Sequence, residues 1–153
     1  MDKNYLLETA KLLKQVTAAS AEEYQKKMDQ LVGQMNNLML GKAEIEHLVG
    51  KDNVEMMKDN HANHARFMFS IFKNNNPEVL VETVLWVYRA YRSHGFTTNY
   101  WATQLNAWIM VLKESLTPES YSEIYPYYEW MQVNIPVFVK VSDEKLEGSL
   151  SMH

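Results

Sequence analysis

The spacing of helix-breaking residues is the feature of this chain that most limits its fold. Breaks occur at Gly41, Gly50, 74–77, Gly95, Pro118 and Gly148. They separate stretches of helical length, in which apolar residues recur every three or four positions. This periodicity predicts an all-α fold without a sheet. We expect a helical bundle of about six or seven helices.

The helices are predicted from these breaks and from the apolar spacing. Their ranges are 4–18, 20–39, 44–49, 53–73, 77–94, 98–116 and 118–135. Ser20 and Glu23 match a capping box, which predicts a helix start at Ser20. Gly95 stands where a left-handed stop residue is expected. The helix 77–94 is apolar over a wide arc, which predicts a central position in the bundle.

The length of 153 residues corresponds to one domain. We assign this domain to residues 1–142 and predict that residues 143–153 form a disordered C-terminal tail. A chain of this length buries about 70% of its extended surface, so it can fold without a disulfide or a structural metal. The sequence contains no cysteine, which excludes a disulfide framework, a thiolate zinc site and a thioether-linked chromophore.

Charge and motifs exclude several classes of function. The formal net charge is −4 and there is no stripe of Lys and Arg, so nucleic acid is not an expected partner. No stretch approaches the ~20 apolar residues of a membrane helix, and the start lacks the layout of a secretory signal, which predicts a cytoplasmic protein. The phosphate-loop, Gly-x-Ser-x-Gly and His-Glu-x-x-His motifs are absent, and we do not expect an enzyme.

Two histidines one helical turn apart, His61 and His64, share a predicted helix face with Met57 and Met68. One interpretation is ligation, because this spacing can place two imidazoles on one metal, or one imidazole over a planar cofactor. A metal site needs a third or fourth ligand. The near polar candidates are Asp59, Asn60 and Asn63. The other interpretation is that both histidines are partly buried polar side chains, satisfied by neighbouring carbonyls or asparagines.

Methionine and aromatic residues are unusually frequent, with ten Met, nine Tyr, five Phe and four Trp. Methionine adapts its shape and aromatic rings stack on planar groups, so one interpretation is a pocket for a flat or hydrophobic ligand. The other is an ordinary core, because many of these residues recur at helical spacing. The tyrosines of 121–128 need polar partners when buried, which favours a pocket or an interface.

The segment 95–112, GFTTNYWATQLNAWIMVL, resembles the corner between the sixth and seventh helices of a globin, with the aromatic Tyr100 just inside the later helix. It is more similar still to the globin-like sensor domains at the N-termini of bacterial stressosome proteins. In those domains a Gly and small polar residues open the penultimate long helix, and the aromatic segment 121–135 corresponds to the final helix. The resemblance extends over residues 54–140 as a pattern. It implies a globin-like fold and a role in signal transduction.

A haem globin carries its iron-ligating histidine about ten residues before that aromatic position. Here the residue is Ala90, and His94 lies one turn later, a shift of ~6 Å along a helix axis. Among globin-like proteins the resemblance therefore implies a sensor without haem, and we expect no cofactor.

These features together predict a non-catalytic sensory or regulatory domain that binds a small hydrophobic or planar ligand or a signalling partner. A homodimer through amphipathic helical surface is expected. The candidate ligand-binding residues are His61, His64, Met57, Met68, Tyr91, Trp101 and Trp108. The alternative is a haem- or metal-binding helical protein, in which His61 or His64 ligates from one side and His94 from the other.

Overall fold

A computed structural model describes the backbone of residues 1–151 and the side chains of residues 1–144. The helices are α1 (Lys3–Ala10), α2 (Ala18–Leu40), α3 (Ile45–Val49), α4 (Val54–Lys73), α5 (Pro77–Arg92), α6 (Thr98–Ser115), α7 (Pro118–Val133) and α8 (Ile135–Ser151). The described part of the chain contains no strand. The all-α prediction is confirmed, with eight helices among the described residues where about six or seven are predicted.

The last predicted helix, 118–135, is in fact the helix α7, and a further helix follows it. Asn134 separates the two, and its Nδ2 donates to the Trp130 carbonyl at 2.8 Å. α8 continues through Ser151, while residues 152–153 lie outside the described part of the chain. Arg92 of α5 pairs with Asp143 of α8 at 2.5 Å. The predicted domain boundary at residue 142 therefore falls inside a helix that is held against α5.

Two glycine turns meet at the side chain of Asn53. Gly50 and Gly95 have φ angles of 95° and 104°, in the left-handed region that glycine adopts without steric cost. Nδ2 of Asn53 donates to the carbonyls of Val49 at 2.9 Å and His94 at 2.7 Å. A Cβ added at Gly50 would lie 2.9 Å from that nitrogen. The predicted stop at Gly95 is confirmed, and the two turns tie the start of α4 to the end of α5.

α2 occupies the centre of the bundle, where it packs against α4, α6 and α7. Its side chains Tyr24, Leu31 and Met35 are fully buried. α5 packs instead on α1 and α8 and exposes Val79 and Trp86, so the central position predicted for 77–94 is wrong. The wide apolar arc of α5 faces α1 and α8 on one side. On the other side it faces a cavity between α4, α5 and α6.

The helices α2 and α7 begin side by side with the same motif, Thr-x-x-Ser-x-x-Glu, at residues 17–23 and 117–123. Thr17 and Thr117 are the N-caps, and each hydroxyl accepts from the backbone N–H of the serine three residues later. In a capping box the residue at that third position bonds back to the N-cap N–H. A serine side chain is too short to do so, which leaves the N-cap N–H groups in need of another acceptor.

The glutamate of each motif supplies the missing bond on the other helix. Glu123 accepts from the N–H of Thr17 at 2.7 Å, from its hydroxyl at 3.0 Å and from the Ser20 hydroxyl. Glu23 accepts from the N–H of Thr117 at 2.8 Å and from its hydroxyl at 2.7 Å, and the serine of that motif adds a third bond at 2.7 Å. We refer to the two motifs together as the cross-capped pair.

The helix start predicted at Ser20, with Glu23 as its capping partner, is therefore wrong. α2 begins at Ala18 because Thr17 has the extended backbone of an N-cap, with φ −67° and ψ 156°. Glu23 points away from its own N-terminus and caps α7. The glutamate of this Ser-x-x-Glu spacing forms a contact between two helices.

Candidate functional site

A cavity of about 350 Å³ lies between α4, α5 and α6. Pockets that bind small molecules measure ~300–1,000 Å³, so this volume suits a ligand of one or two rings. The α4 residues in its wall are Asn60, Asn63, His64, Phe67 and Met68. The α5 residues are Thr83, Val84, Trp86, Val87, Tyr88 and Tyr91. α6 and α7 add Trp101, Gln104, Leu105 and Met131.

The cavity opens to solvent between α4 and α5. Asn63 and Trp86 both line it and are exposed, and the Trp86 residue is 59% exposed. A surface depression adjoins this mouth, formed by Thr83, Trp86, Glu82 and Arg89. A small molecule can therefore enter along the outer face of α5.

The position of α5 explains why this space is left between the helices. α5 packs on α1 and α8 and lies away from the centre of the bundle. Lys3 of α1 pairs with Glu82 in the N-terminal half of α5, and Arg92 at its C-terminal end pairs with Asp143 of α8. The apolar side of α5 that faces α4 and α6 is consequently not filled by neighbouring side chains.

Aromatic rings form one side of the cavity wall. Tyr88 of α5 and Trp101 of α6 are stacked, with ring centroids 4.4 Å apart and an angle of 20° between their planes. Tyr91 meets Trp101 edge to face, with centroids 6.3 Å apart. The indole Nε1 of Trp101 is buried and has no hydrogen-bond partner among the described residues. Aromatic faces of this kind favour contact with planar groups.

A pair of carboxamides forms the polar part of the wall. Oδ1 of Asn60 accepts from the Tyr100 hydroxyl and from Nε2 of Gln104, each at 2.8 Å. Asn60 and Gln104 are each 3% exposed. Burying an amide without a partner is costly, so this shared oxygen stabilises both side chains in place. The amide nitrogen of Asn60 and the amide oxygen of Gln104 take no part in the shared bonds.

His64 is the imidazole that lines the cavity. Its Nε2 is hydrogen-bonded to the Tyr128 hydroxyl at 2.7 Å. Burial, with a smaller contribution from the neighbouring His61, lowers the pKa of His64 to about 3. Burial also raises the pKa of Tyr128 well above its ordinary value. Both groups are therefore uncharged at neutral pH, and His64 presents a neutral ring to the cavity.

His61 lies outside the cavity, in the core between α4 and α2. Its Nδ1 is hydrogen-bonded to Oδ1 of Asn36 at 2.7 Å, and its Nε2 is buried without a partner in the described residues. The ring contacts Trp108 edge to face, with centroids 6.4 Å apart. Burial lowers the pKa of His61 to about 4. His61 is thus a buried polar side chain held by an asparagine of α2, and not by Asn60 or Asn63.

The candidate ligand-binding residues divide between the cavity and the core. The cavity wall contains His64, Met68, Tyr91 and Trp101. The core contains His61, Met57 and Trp108, which are fully buried and do not line the cavity. Three residues along a helix correspond to a rotation of about 60°, so neighbours on one apolar stripe face different helices. This rotation separates His61 from His64.

The residues present do not fit a haem or metal held by His61 or His64 and His94. His94 is exposed in the turn after α5 and is not part of the cavity wall. His61 faces α2, and Nε2 of His64 is bonded to Tyr128. In residues with described side chains, no three His, Asp or Glu residues are grouped so that they could hold a metal ion.

Apart from Tyr91, sequence reasoning missed the contribution of α5, and it also missed Gln104. Val84, Val87 and Tyr88 were consistent with the core stripe of a central helix, and nothing in their spacing indicates that they face an open space. The position of Gln104 in the sequence does indicate a buried polar site. It is a polar residue one turn from Trp101 and Trp108 on an otherwise apolar face, and such a residue needs a buried partner.

No protein-family model, curated protein or solved structure matches this chain. The all-α fold therefore stands on the structure itself, and the resemblance to globin-like sensor domains stays a prediction. Within the described residues, none of the helices combines the length and the apolar character needed to cross a bilayer.

Proposed function

We propose that this chain is a non-catalytic sensory or regulatory domain that binds a small, planar and mostly apolar molecule between α4, α5 and α6. The cavity of about 350 Å³, open to solvent beside Trp86, is the observation that carries the proposal. Its wall is mainly apolar and aromatic, with a few polar groups that include Asn60, Gln104 and His64. Small-molecule sites typically combine these features.

The chemistry of the wall supports binding more than catalysis. His64 is the wall residue whose ordinary pKa lies near neutrality, but burial lowers that pKa to about 3 and Tyr128 occupies its Nε2. A general base is most effective when its pKa lies near the working pH. Among the described wall residues there is also no carboxylate or lysine to activate a nucleophile.

α5 is the element through which ligand binding acts in this proposal. It forms one side of the cavity and packs on α1 and α8. A ligand that contacts α5 better in one position than in another favours that position, and this differential affinity drives the change. Because Arg92 of α5 pairs with Asp143, a shift of α5 alters the contacts of α8. A signalling partner, or a second copy of the chain in a homodimer, then responds to α8.

The direct test is binding of 2-naphthol, a neutral two-ring probe, measured by calorimetry and tryptophan fluorescence. Trp86 and Trp101 line the cavity, whereas Trp108 and Trp130 do not. We expect saturable binding of one probe per chain, with a change in fluorescence that is smaller in Trp86→Phe than in the unmodified protein. If no planar apolar probe binds saturably, the proposal is wrong.

Titration with hemin separates this proposal from the haem alternative. We expect no Soret band that depends on His61 or His94, because neither residue reaches the cavity wall. A strong Soret band that is lost in His61→Ala or His94→Ala would overturn the proposal in favour of haem.

A further inference from the structure

We infer that the ligand of this cavity is an uncharged aromatic molecule with one polar edge, which is read by Asn60 and Gln104. The inference rests on the proposed function and adds the chemical class of the ligand to it. Three features of the wall carry it: the absence of charge in its described part, the arrangement of the two carboxamides, and the stacked aromatic pair.

The charge of the ligand follows from the charge of the wall. Among the described residues that line the cavity there is no Asp, Glu, Lys or Arg. His64 is neutral near pH 7, because burial lowers its pKa to about 3. A carboxylate or an ammonium group placed against Asn60 and Gln104, which are each 3% exposed, would lose its hydration and find no opposite charge in the described wall, which is strongly unfavourable. A neutral molecule is not subject to this cost.

The polar edge of the ligand follows from the carboxamide pair. The amide oxygen of Asn60 is fully used, since it accepts from Tyr100 and from Gln104. The groups left for a ligand are the Asn60 amide nitrogen, a donor, and the Gln104 amide oxygen, an acceptor. If the amide nitrogen and oxygen of both side chains exchanged places, the Asn60 oxygen and the Gln104 nitrogen would be left, which again gives one acceptor and one donor. A ligand group that both donates and accepts, such as a hydroxyl or a ring amide, complements this pair.

The shape of the ligand follows from the aromatic side of the wall. Tyr88 and Trp101 both line the cavity, and because they are stacked on each other at 4.4 Å, each ring holds the other in a fixed orientation. Planar rings gain more from such surface than flexible chains, because they lose less conformational freedom on binding. The cavity volume of about 350 Å³ suits a molecule with one ring or with two fused rings.

The experiment compares three two-ring probes that differ in one substituent: 2-naphthol, naphthalene and 2-naphthoate, each titrated into the full chain at pH 7. We expect 2-naphthol to bind about 3- to 10-fold more tightly than naphthalene, the gain of one or two net hydrogen bonds. We expect 2-naphthoate to bind at least about 100-fold more weakly than 2-naphthol, because its carboxylate is desolvated without a partner. Equal affinity for 2-naphthol and 2-naphthoate would overturn the inference and leave the proposed function intact. If none of the three probes binds, the proposed function itself fails.

Two variants assign the effect to the wall. Gln104→Leu removes one of the two polar groups that recognise the ligand and is expected to reduce the preference for 2-naphthol over naphthalene. Gln30→Leu, the same change at an exposed position of α2, is its control. Val84→Lys adds a positive charge on the α5 side of the wall. Its longer side chain is expected to weaken binding of both probes, and its charge to reverse their order, so that 2-naphthoate binds more tightly than 2-naphthol. This second variant leaves the carboxamide pair intact, so it tests the charge argument even if Gln104→Leu does not fold. A Gln104→Leu protein that folds and keeps the full preference, or a Val84→Lys protein that does not favour 2-naphthoate, contradicts the inference.

Discussion

Glu23 and Glu123 each cap the helix that carries the other. Glu23 accepts from the backbone N–H of Thr117 at 2.8 Å, and Glu123 accepts from that of Thr17 at 2.7 Å. Burial raises the pKa of Glu23, but its hydrogen bonds, of which that from Ser120 contributes most, lower it by more, to about 2. The two carboxylates therefore stabilise the folded state while they are ionised.

Replacing Glu23 by Gln should lower the free energy of unfolding by about 1–3 kcal/mol, since a charged acceptor of several hydrogen bonds is lost. The measurement is urea unfolding at pH 7. Glu22→Gln is the matched control, because Glu22 is exposed and, among the residues with described side chains, its ion pair is with Lys26 on the same helix. Its effect should stay below about 0.5 kcal/mol. Equal effects of the two substitutions would show that Glu23 is not a cap of α7.

The cross-capped pair also predicts a loss of stability in acid. The pKa of Glu23 is lower in the folded state than in the unfolded state, so its contribution is complete above about pH 4.5 and is lost as the pH falls towards about 2. The hydrogen bond from Ser20 also lowers the pKa of Glu123, against the effect of its partial burial. Unfolding measured between pH 5 and pH 2 should show a shallower pH dependence in Glu23→Gln. An unchanged slope would contradict the assignment.

The buried histidines predict a second loss of stability on acidification, in a pH range above that of the glutamates. Burial lowers the pKa of His61 to about 4, below the value of about 6.5 expected in the unfolded chain. Below pH 6.5 the unfolded state therefore binds a proton that the folded state does not, and stability falls by up to about 1.4 kcal/mol per pH unit until the folded pKa is reached.

His61→Met should reduce this dependence between pH 6.5 and pH 4, as measured by urea unfolding at several pH values. The substitution suits the site because Nε2 of His61 has no partner in the described residues, and Asn36, the partner of Nδ1, is only partly buried. His47→Met is the control, because His47 is exposed. A curve for His61→Met that parallels the unmodified protein would show that His61 is protonated in the folded state.

Filling the cavity should abolish ligand binding without unfolding the protein. Val84 lines the cavity, and Val84→Phe places a ring in the space that the ligand needs. We expect the affinity for 2-naphthol to fall more than about 10-fold, while stability changes by less than about 1.5 kcal/mol. Val79→Phe on the same helix is the control, since Val79 is 44% exposed and outside the cavity wall. The cavity is not the binding site if both variants bind 2-naphthol alike.

Amide hydrogen exchange should show that binding acts on α5. Saturation with 2-naphthol is expected to slow exchange most in α5 and in the part of α8 near Asp143, because Arg92 links the two helices. The central helix α2 should change little. Arg92→Ala should preserve the effect on α5 and weaken the effect on α8. Protection spread evenly over all helices would indicate general stabilisation and contradict a relay through α5.

Helix positions were largely predictable from this sequence, because the breaks at Gly95 and Pro118 are local signals with a clear steric cause. Four candidate ligand residues, including His64 and Trp101, do line the cavity. The cavity itself was not predictable. A methionine that fills the core, such as Met57, and one that borders an open space, such as Met68, have the same spacing and chemistry. Which applies depends on how far α5 stands from α4.

The cross-capped pair was not predictable from local rules for a related reason. Ser20 and Glu23 have the spacing of a capping box, and the competing N-cap, Thr17, lies only three residues earlier. The repeated Thr-x-x-Ser-x-x-Glu was visible in the sequence, but its meaning depends on two helix starts meeting in space. In this chain the repeated motif marks two helix starts that cap each other.

The cross-capped pair also has a consequence for the order of folding. Its bonds join residues separated by 94 and 106 positions, so the chain must close a long loop before either N-cap N–H finds its acceptor. If these bonds form only after the transition state, they do not lower the barrier to folding. Under that condition the glutamates chiefly slow unfolding and leave the folding rate almost unchanged. The two carboxylates would then determine how long the folded bundle persists before it unfolds.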